Sequence, residues 1–156
     1  MALYFAFGSN MDDEQMARRC PGTTPGGMAT LLEHRLVFRG PSKNRGGGVA
    51  SVDRAPGRSV RGLLWNLSEE DLLTLDRREG APEWYKRATV SVATDDGSSQ
   101  EVLLYRLPSD VLEMVPTDDY YDQIAAAYLH LRLDLEPLED ALTRARQAAS
   151  GRAADA

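Results

Sequence analysis

Apolar residues fill positions 3–7 without a break, and the run stops at Gly8-Ser9-Asn10. A short unbroken run ended by turn residues predicts a buried strand. Leu36 and Phe38 alternate with Arg35 and Val37, which predicts a second strand over residues 34–39. Residues 48–53 and 60–67 predict two more, and the intervening Pro56-Gly57 is a turn signal that makes them a hairpin. A further hairpin is predicted from residues 87–94 and 100–107, around Asp95-Asp96-Gly97-Ser98. Asp96-Gly97 favours the positive φ that such a turn needs.

Helical spacing occupies the remainder. Asp12 can cap a short helix through Ala17. Ser68 is a good N-cap, with Asp71 as an imperfect capping-box partner. Leu72, Leu73 and Leu75 then supply the apolar side of a helix that runs to Glu79 and ends at Gly80. Ile124, Tyr128 and Leu131 form one stripe of a helix over residues 118–133, and a weaker pattern covers 137–149. A disordered tail is expected over 151–156. The strands do not alternate regularly with helices, so a doubly wound parallel sheet is not indicated. The expectation is one α+β domain over residues 1–150, built on a small closed or nearly closed sheet.

Composition narrows the function. The chain has 156 residues, 42% of them hydrophobic and 27% charged, enough for one packed core. A formal charge of −6 and a pI near 4.9 argue against nucleic-acid binding, which needs a basic surface. No apolar run approaches the roughly 20 residues that cross a bilayer, and the start lacks the basic residues of a secretory signal. The single Cys20 cannot form an internal disulfide, which suits a reducing compartment, so a cytoplasmic location is expected. With His34 and His130 far apart and one cysteine, no zinc set is expected. Arg45-Gly46-Gly47-Gly48 lacks the lysine and hydroxyl of a phosphate loop and reads as a tight approach between strands.

Three features carry candidate chemistry. At Phe7-Gly8-Ser9-Asn10 a strand enters a turn whose amides can face an anion, with Gly8 allowing close approach; the same pattern reads as a plain turn. Glu79 closes a helix, where the negative end of the macrodipole disfavours its charge. In an apolar cleft, desolvation would raise its pKa further and suit it to proton transfer; otherwise it is a solvated charge near Arg77 and Arg78. Tyr85, Tyr105, Tyr120, Tyr121 and Tyr128 offer hydroxyls for a polar ligand or serve as core. Trp65 and Trp84 default to the core. Ser9 lacks the second glycine of a hydrolase elbow.

In combination these segments resemble the γ-glutamylcyclotransferase-like family. The opening Tyr4-Phe5-Ala6-Phe7-Gly8-Ser9-Asn10-Met11 is similar to its Tyr-Gly-Ser-Asn signature, with Phe7 where tyrosine is usual. Gly47-Gly48-Val49-Ala50, Val60-Arg61-Gly62-Leu63-Leu64-Trp65 and Leu75-Asp76-Arg77-Arg78-Glu79-Gly80 followed by Trp84-Tyr85 resemble three further family blocks, in the same order. The resemblance implies a small mixed β-barrel flanked by helices. It also implies a γ-glutamyl small-molecule substrate, no cofactor and no metal. Glu79 would be the general acid/base, with Phe7, Gly8, Ser9, Asn10, Tyr85, Tyr105 and Tyr121 at the substrate. Tyr128 stands where glycine is common and is expected to narrow the far side of the site. A γ-glutamyl compound would then close to 5-oxoproline and free an amine. Two other readings stay open: a catalytically silent binding module on the same fold, and a hydrolase with Ser9 as nucleophile. Oligomeric state is left open.

Overall fold

The computed structural model describes residues 2–155. Five strands, β1 (Ala2–Ala6), β2 (Thr24–Arg39), β3 (Val49–Leu67), β4 (Lys86–Thr94) and β5 (Ser99–Arg106), close into a barrel in the order β1-β3-β2-β4-β5. β1 meets β5 in parallel at Tyr4 and Leu103, and the other pairings are antiparallel. Four helices flank the barrel: α1 (Asp13–Arg19), α2 (Glu69–Glu79), α3 (Asp118–His130) and α4 (Glu136–Asp155). The mixed barrel with flanking helices is the expected α+β class.

One hairpin differs from expectation. Residues 49–53 and 60–67 are not partners of each other; both lie in the continuous β3, which starts one residue later than expected, and pair along β2. His34–Arg39 faces Val49–Arg54, while Met28–Leu32 faces Ser59–Leu63. Pro56-Gly57 falls in the irregularity between these two stretches, where Gly57 takes φ 77° and Glu33 φ 60°. The Gly57 N–H donates to Glu33 Oε2 at 3.1 Å, so the turn signal was real but produced a bulge. The first half of β2 was unforeseen because Pro25-Gly26-Gly27 looks like a turn; it is a second irregularity, with Gly27 at φ 91°.

Helix starts follow the sequence closely, whereas α3 stops at His130, short of the expected residue 133. Asp12 accepts the Glu14 N–H at 3.0 Å, and Ser68 Oγ accepts the Asp71 N–H at 3.1 Å. Gly80 adopts the left-handed conformation, φ 64°, and stops α2 directly after Glu79. The expected disordered tail is corrected over its described part: α4 continues through Gly151 to Asp155, and residue 156 lies outside the described residues. The one glycine does not end the run, since Arg152-Ala153-Ala154 beyond it are strong helix formers.

The glycine run before β3 is a close approach, but not between strands. Gly48 donates its N–H to the Val115 carbonyl at 3.0 Å, and a Cβ at Gly48 would stand 1.9 Å from the Met114 carbonyl oxygen. Gly47 is close to the same segment, where a Cβ would stand 3.0 Å from the Val115 carbonyl oxygen and 3.1 Å from the Thr117 nitrogen. The loop ahead of β3 is thereby seated on the segment that leads into α3, which sets where the first turn of α3 faces.

Candidate active site

A cleft opens where β1 ends, lined by residues of the Gly8 turn, the end of α2 and the barrel wall. Phe7, Gly8, Ser9, Asn10, Glu79, Tyr85 and Tyr105 all line it, so most of the expected site residues converge. β1 delivers the Gly8 turn, which continues as one 3₁₀ turn over Ser9–Met11; the last residue of α2 delivers Glu79 from the other side. The first bonds of that turn run from Met11 N–H to Gly8 and from Asp12 N–H to Ser9. The amides that precede them have no partner within the turn.

Asn10 is the hub. Its Nδ2 donates to Tyr4 Oη at 3.0 Å and to Glu79 Oε1 at 3.3 Å. Its Oδ1 accepts from Gln15 Nε2 at 2.8 Å and from Arg19 Nη1 at 2.9 Å. The carbonyl of Asn10 accepts the Trp65 Nε1–H at 2.9 Å. Four partners fix the amide plane and leave the second carboxylate oxygen of Glu79 free to meet a ligand. Burial pushes the Glu79 carboxyl up to about 7, against the opposing pull of Arg19, the Asn10 hydrogen bond and Arg45.

Two tyrosines hold the backbone of one residue, Ala50. Tyr85 Oη donates to the Ala50 carbonyl at 2.8 Å, and Tyr120 Oη accepts the Ala50 N–H at 2.9 Å. Arg45 lies over the Tyr120 ring, 5.0 Å from its centroid, and donates to Gln15 Oε1 at 3.1 Å. Tyr105 Oη donates to Asp76 Oδ1 at 2.5 Å, and Asp76 is also bound by Arg87, which holds its carboxyl below the usual range.

The expectation for Tyr121 is corrected to its neighbour. Tyr120 lines the cleft, whereas Tyr121 packs on Phe38 with ring centroids 6.1 Å apart and does not line it. Tyr128 is buried away from the cleft and narrows nothing there. Tyr4, Arg19, Arg45 and Arg78 are lining residues that sequence reasoning missed. Tyr4 was hidden inside the strand pattern, and isolated arginines read by default as surface. Three guanidinium groups beside one carboxyl make the cleft locally positive on a chain of net charge −6, which suits an anionic ligand.

Other chemistries find less here. Neither His34 nor His130 lines the cleft, so Ser9, whose Oγ accepts from Gln15 Nε2 at 2.9 Å, has no imidazole base. Among the described residues no group of histidine, cysteine and acidic side chains is placed to hold a metal, and no helix is long and apolar enough to cross a membrane. Space at Gly8 is tight: an added Cβ would stand 3.1 Å from Ala50 Cβ and 3.5 Å from Tyr120 Oη. Gly8→Val is therefore expected to weaken ligand binding by ~10-fold or more, a loss equal to about 1.4 kcal/mol. Calorimetry with a ligand of the wild-type cleft checks this, and unchanged affinity would place the ligand elsewhere.

The family model described as gamma-glutamyl cyclotransferase, AIG2-like, matches residues 4–123. The chain is 31% identical over 127 residues to the gamma-glutamylcyclotransferases of Bos taurus and Homo sapiens, covering 78% of this chain and 66% of each relative. It thus spans just under two thirds of the length of those curated relatives. A solved gamma-glutamyl cyclotransferase superposes with a TM-score of 0.82 at 28% identity, covering 90% of this chain and 85% of that one.

Proposed function

The chain belongs to the gamma-glutamyl cyclotransferase, AIG2-like family, and on that premise we propose that it closes a γ-glutamyl compound to 5-oxoproline with Glu79 as the proton carrier. The observation that carries this reading is the Glu79 carboxyl itself, held by Asn10 beside the Gly8 turn and raised by burial to about 7. A carboxyl of ordinary acidity would be a poor base for an ammonium group; one near neutrality is far better matched.

The substrate's α-carboxylate sits against the amides of the Gly8–Asn10 turn, in a cleft whose arginines favour negative charge. Glu79 takes a proton from the α-ammonium and frees the lone pair. The amine attacks its own γ-carbonyl, the amide C–N bond breaks, and Glu79 returns the proton to the departing nitrogen. Two protons leave the attacking nitrogen and two reach the departing one as it becomes an ammonium, so neither water nor cofactor is consumed. Holding the chain folded for five-membered closure is worth on the order of 7–11 kcal/mol over a bimolecular reference.

The pH dependence follows from the Glu79 shift. The free enzyme needs Glu79 ionised, so kcat/KM is expected to rise with pH and level off above about 7. A profile flat from about pH 5 upward would remove Glu79 from the role, as an ordinary carboxyl would already be ionised there. The reading is tested with a panel of γ-glutamyl amino acids and γ-glutamyl amines, following 5-oxoproline and the free amine together. Equimolar release from at least one member supports it; release from none contradicts it.

A further inference from the structure

Tyr4 lies in β1, two strand positions before Ala6, and is almost wholly buried at 5% exposure, yet its side chain lines the cleft. Its ring packs edge-on against Tyr105 with centroids 5.7 Å apart, which fixes the direction of the hydroxyl. That hydroxyl accepts the Asn10 Nδ2–H at 3.0 Å, and its own proton has no acceptor among the described residues. The same Nδ2 reaches Glu79 Oε1 at 3.3 Å, so the phenol and the carboxyl flank one point at the base of the cleft. A buried donor with nothing to donate to is costly unless a ligand completes it.

The proposed cyclisation lacks one component that this hydroxyl supplies. When the amine attacks beside Glu79, the carbonyl oxygen gains negative charge and needs a preorganised donor. We propose that the Tyr4 hydroxyl donates a hydrogen bond to the γ-carbonyl oxygen of the substrate and stabilises the oxyanion that forms there. This rests on the cyclisation reading above. The nitrogen lone pair makes the new C–N bond and the carbonyl π pair moves onto oxygen, while Tyr4 keeps its proton. As the pair returns, the amide C–N bond breaks and the proton on Glu79 goes to the leaving nitrogen. Burial and the nearby Glu79 hold the Tyr4 proton in place well above the usual phenol range, so Tyr4 acts as a donor and not as a base. The amides of the Gly8 turn are then left for the α-carboxylate.

Tyr4→Phe removes the hydroxyl and keeps the ring against Tyr105. Its kcat is expected to fall ~10²- to 10³-fold, with KM changed by less than ~5-fold and the melting temperature lowered by no more than a few degrees as Asn10 Nδ2 loses one acceptor. The pH inflection of kcat/KM should stay near the wild-type value. If Tyr4 acted only by positioning Asn10 and Glu79, the inflection would move with the loss of rate, and that result overturns the assignment. A second measurement uses a substrate whose γ-carbonyl oxygen is replaced by sulfur, a weaker hydrogen-bond acceptor. A direct contact predicts that the Tyr4→Phe penalty shrinks to less than ~10-fold with the thioamide; an equal penalty with oxygen and sulfur contradicts the contact. If the wild-type protein releases lactam and Tyr4→Phe matches it, the Tyr4 role alone falls. If the wild type releases none from any γ-glutamyl compound, the cyclisation reading falls and this role with it.

Discussion

Glu79→Gln is expected to lower 5-oxoproline release by ~10²- to 10⁴-fold while leaving the fold and ligand affinity in place. Glutamine keeps the shape and can still accept from Asn10 Nδ2, but it cannot carry a proton between two nitrogens. The substitution also has a stability signature that separates a buried acid from a surface charge. The folded state holds the Glu79 proton up to about pH 7, whereas the unfolded chain releases it near 4.5. Between those values the native state binds more protons, so stability falls as pH rises and the full cost stands above pH 7. Removing the carboxyl relieves that cost. The value of about 7 already contains the pull of Arg19 and Arg45, so the gain is on the order of 3 kcal/mol, or a rise of several degrees in melting temperature. Thermal melts at about pH 8 should show the variant above the wild type, and melts at about pH 4 should show no gain. Equal melting temperatures at both pH values would mean that Glu79 is solvated.

Gly48→Ala is expected to destabilise the protein by about 3 kcal/mol or more, lowering the melting temperature by roughly 6–12 °C. The new methyl carbon would fall 1.9 Å from the Met114 carbonyl oxygen, and both sides of that contact are backbone, so no rotamer change relieves it. Relief requires the loop before β3 to lift from the 114–117 segment, breaking the Gly48 to Val115 hydrogen bond. Because that segment leads to Tyr120 and Ala50 begins the other wall, ligand affinity should fall along with stability. Gly46→Ala is the control. An added Cβ there meets nothing within 4 Å, and only its φ of +78° resists, a cost of roughly 1–2 kcal/mol. A Gly48→Ala protein no less stable than Gly46→Ala would contradict the packing described.

Much of this site was legible in the sequence because single residues do single jobs there. Gly80 stops α2 and so places Glu79 at a helix end; the Gly8 turn follows an unbroken apolar strand. Spatial choices between neighbours were not legible. Tyr120 and Tyr121 are adjacent on α3 and point about 100° apart, and the docking of that helix, set by Gly47 and Gly48 against residues 114–117, decides which ring enters the cleft. Pro56-Gly57 gave the right local geometry and the wrong topology, since β2 supplies a partner on both sides of it. Tyr4 was invisible because β1 is buried along its latter residues and shows no alternation to mark an inward face. Arg19 and Arg45 gained a role only when the fold brought them to Asn10 and Gln15.

The intramolecular attack is tested most directly by turnover of a γ-glutamyl substrate in ¹⁸O-labelled water, with mass analysis of the acyl product. Intramolecular attack yields 5-oxoproline free of label, formed in equal amount to the released amine. Glutamate carrying ¹⁸O in its γ-carboxyl would show that water, not the substrate's own amine, attacks the carbonyl, and would contradict it.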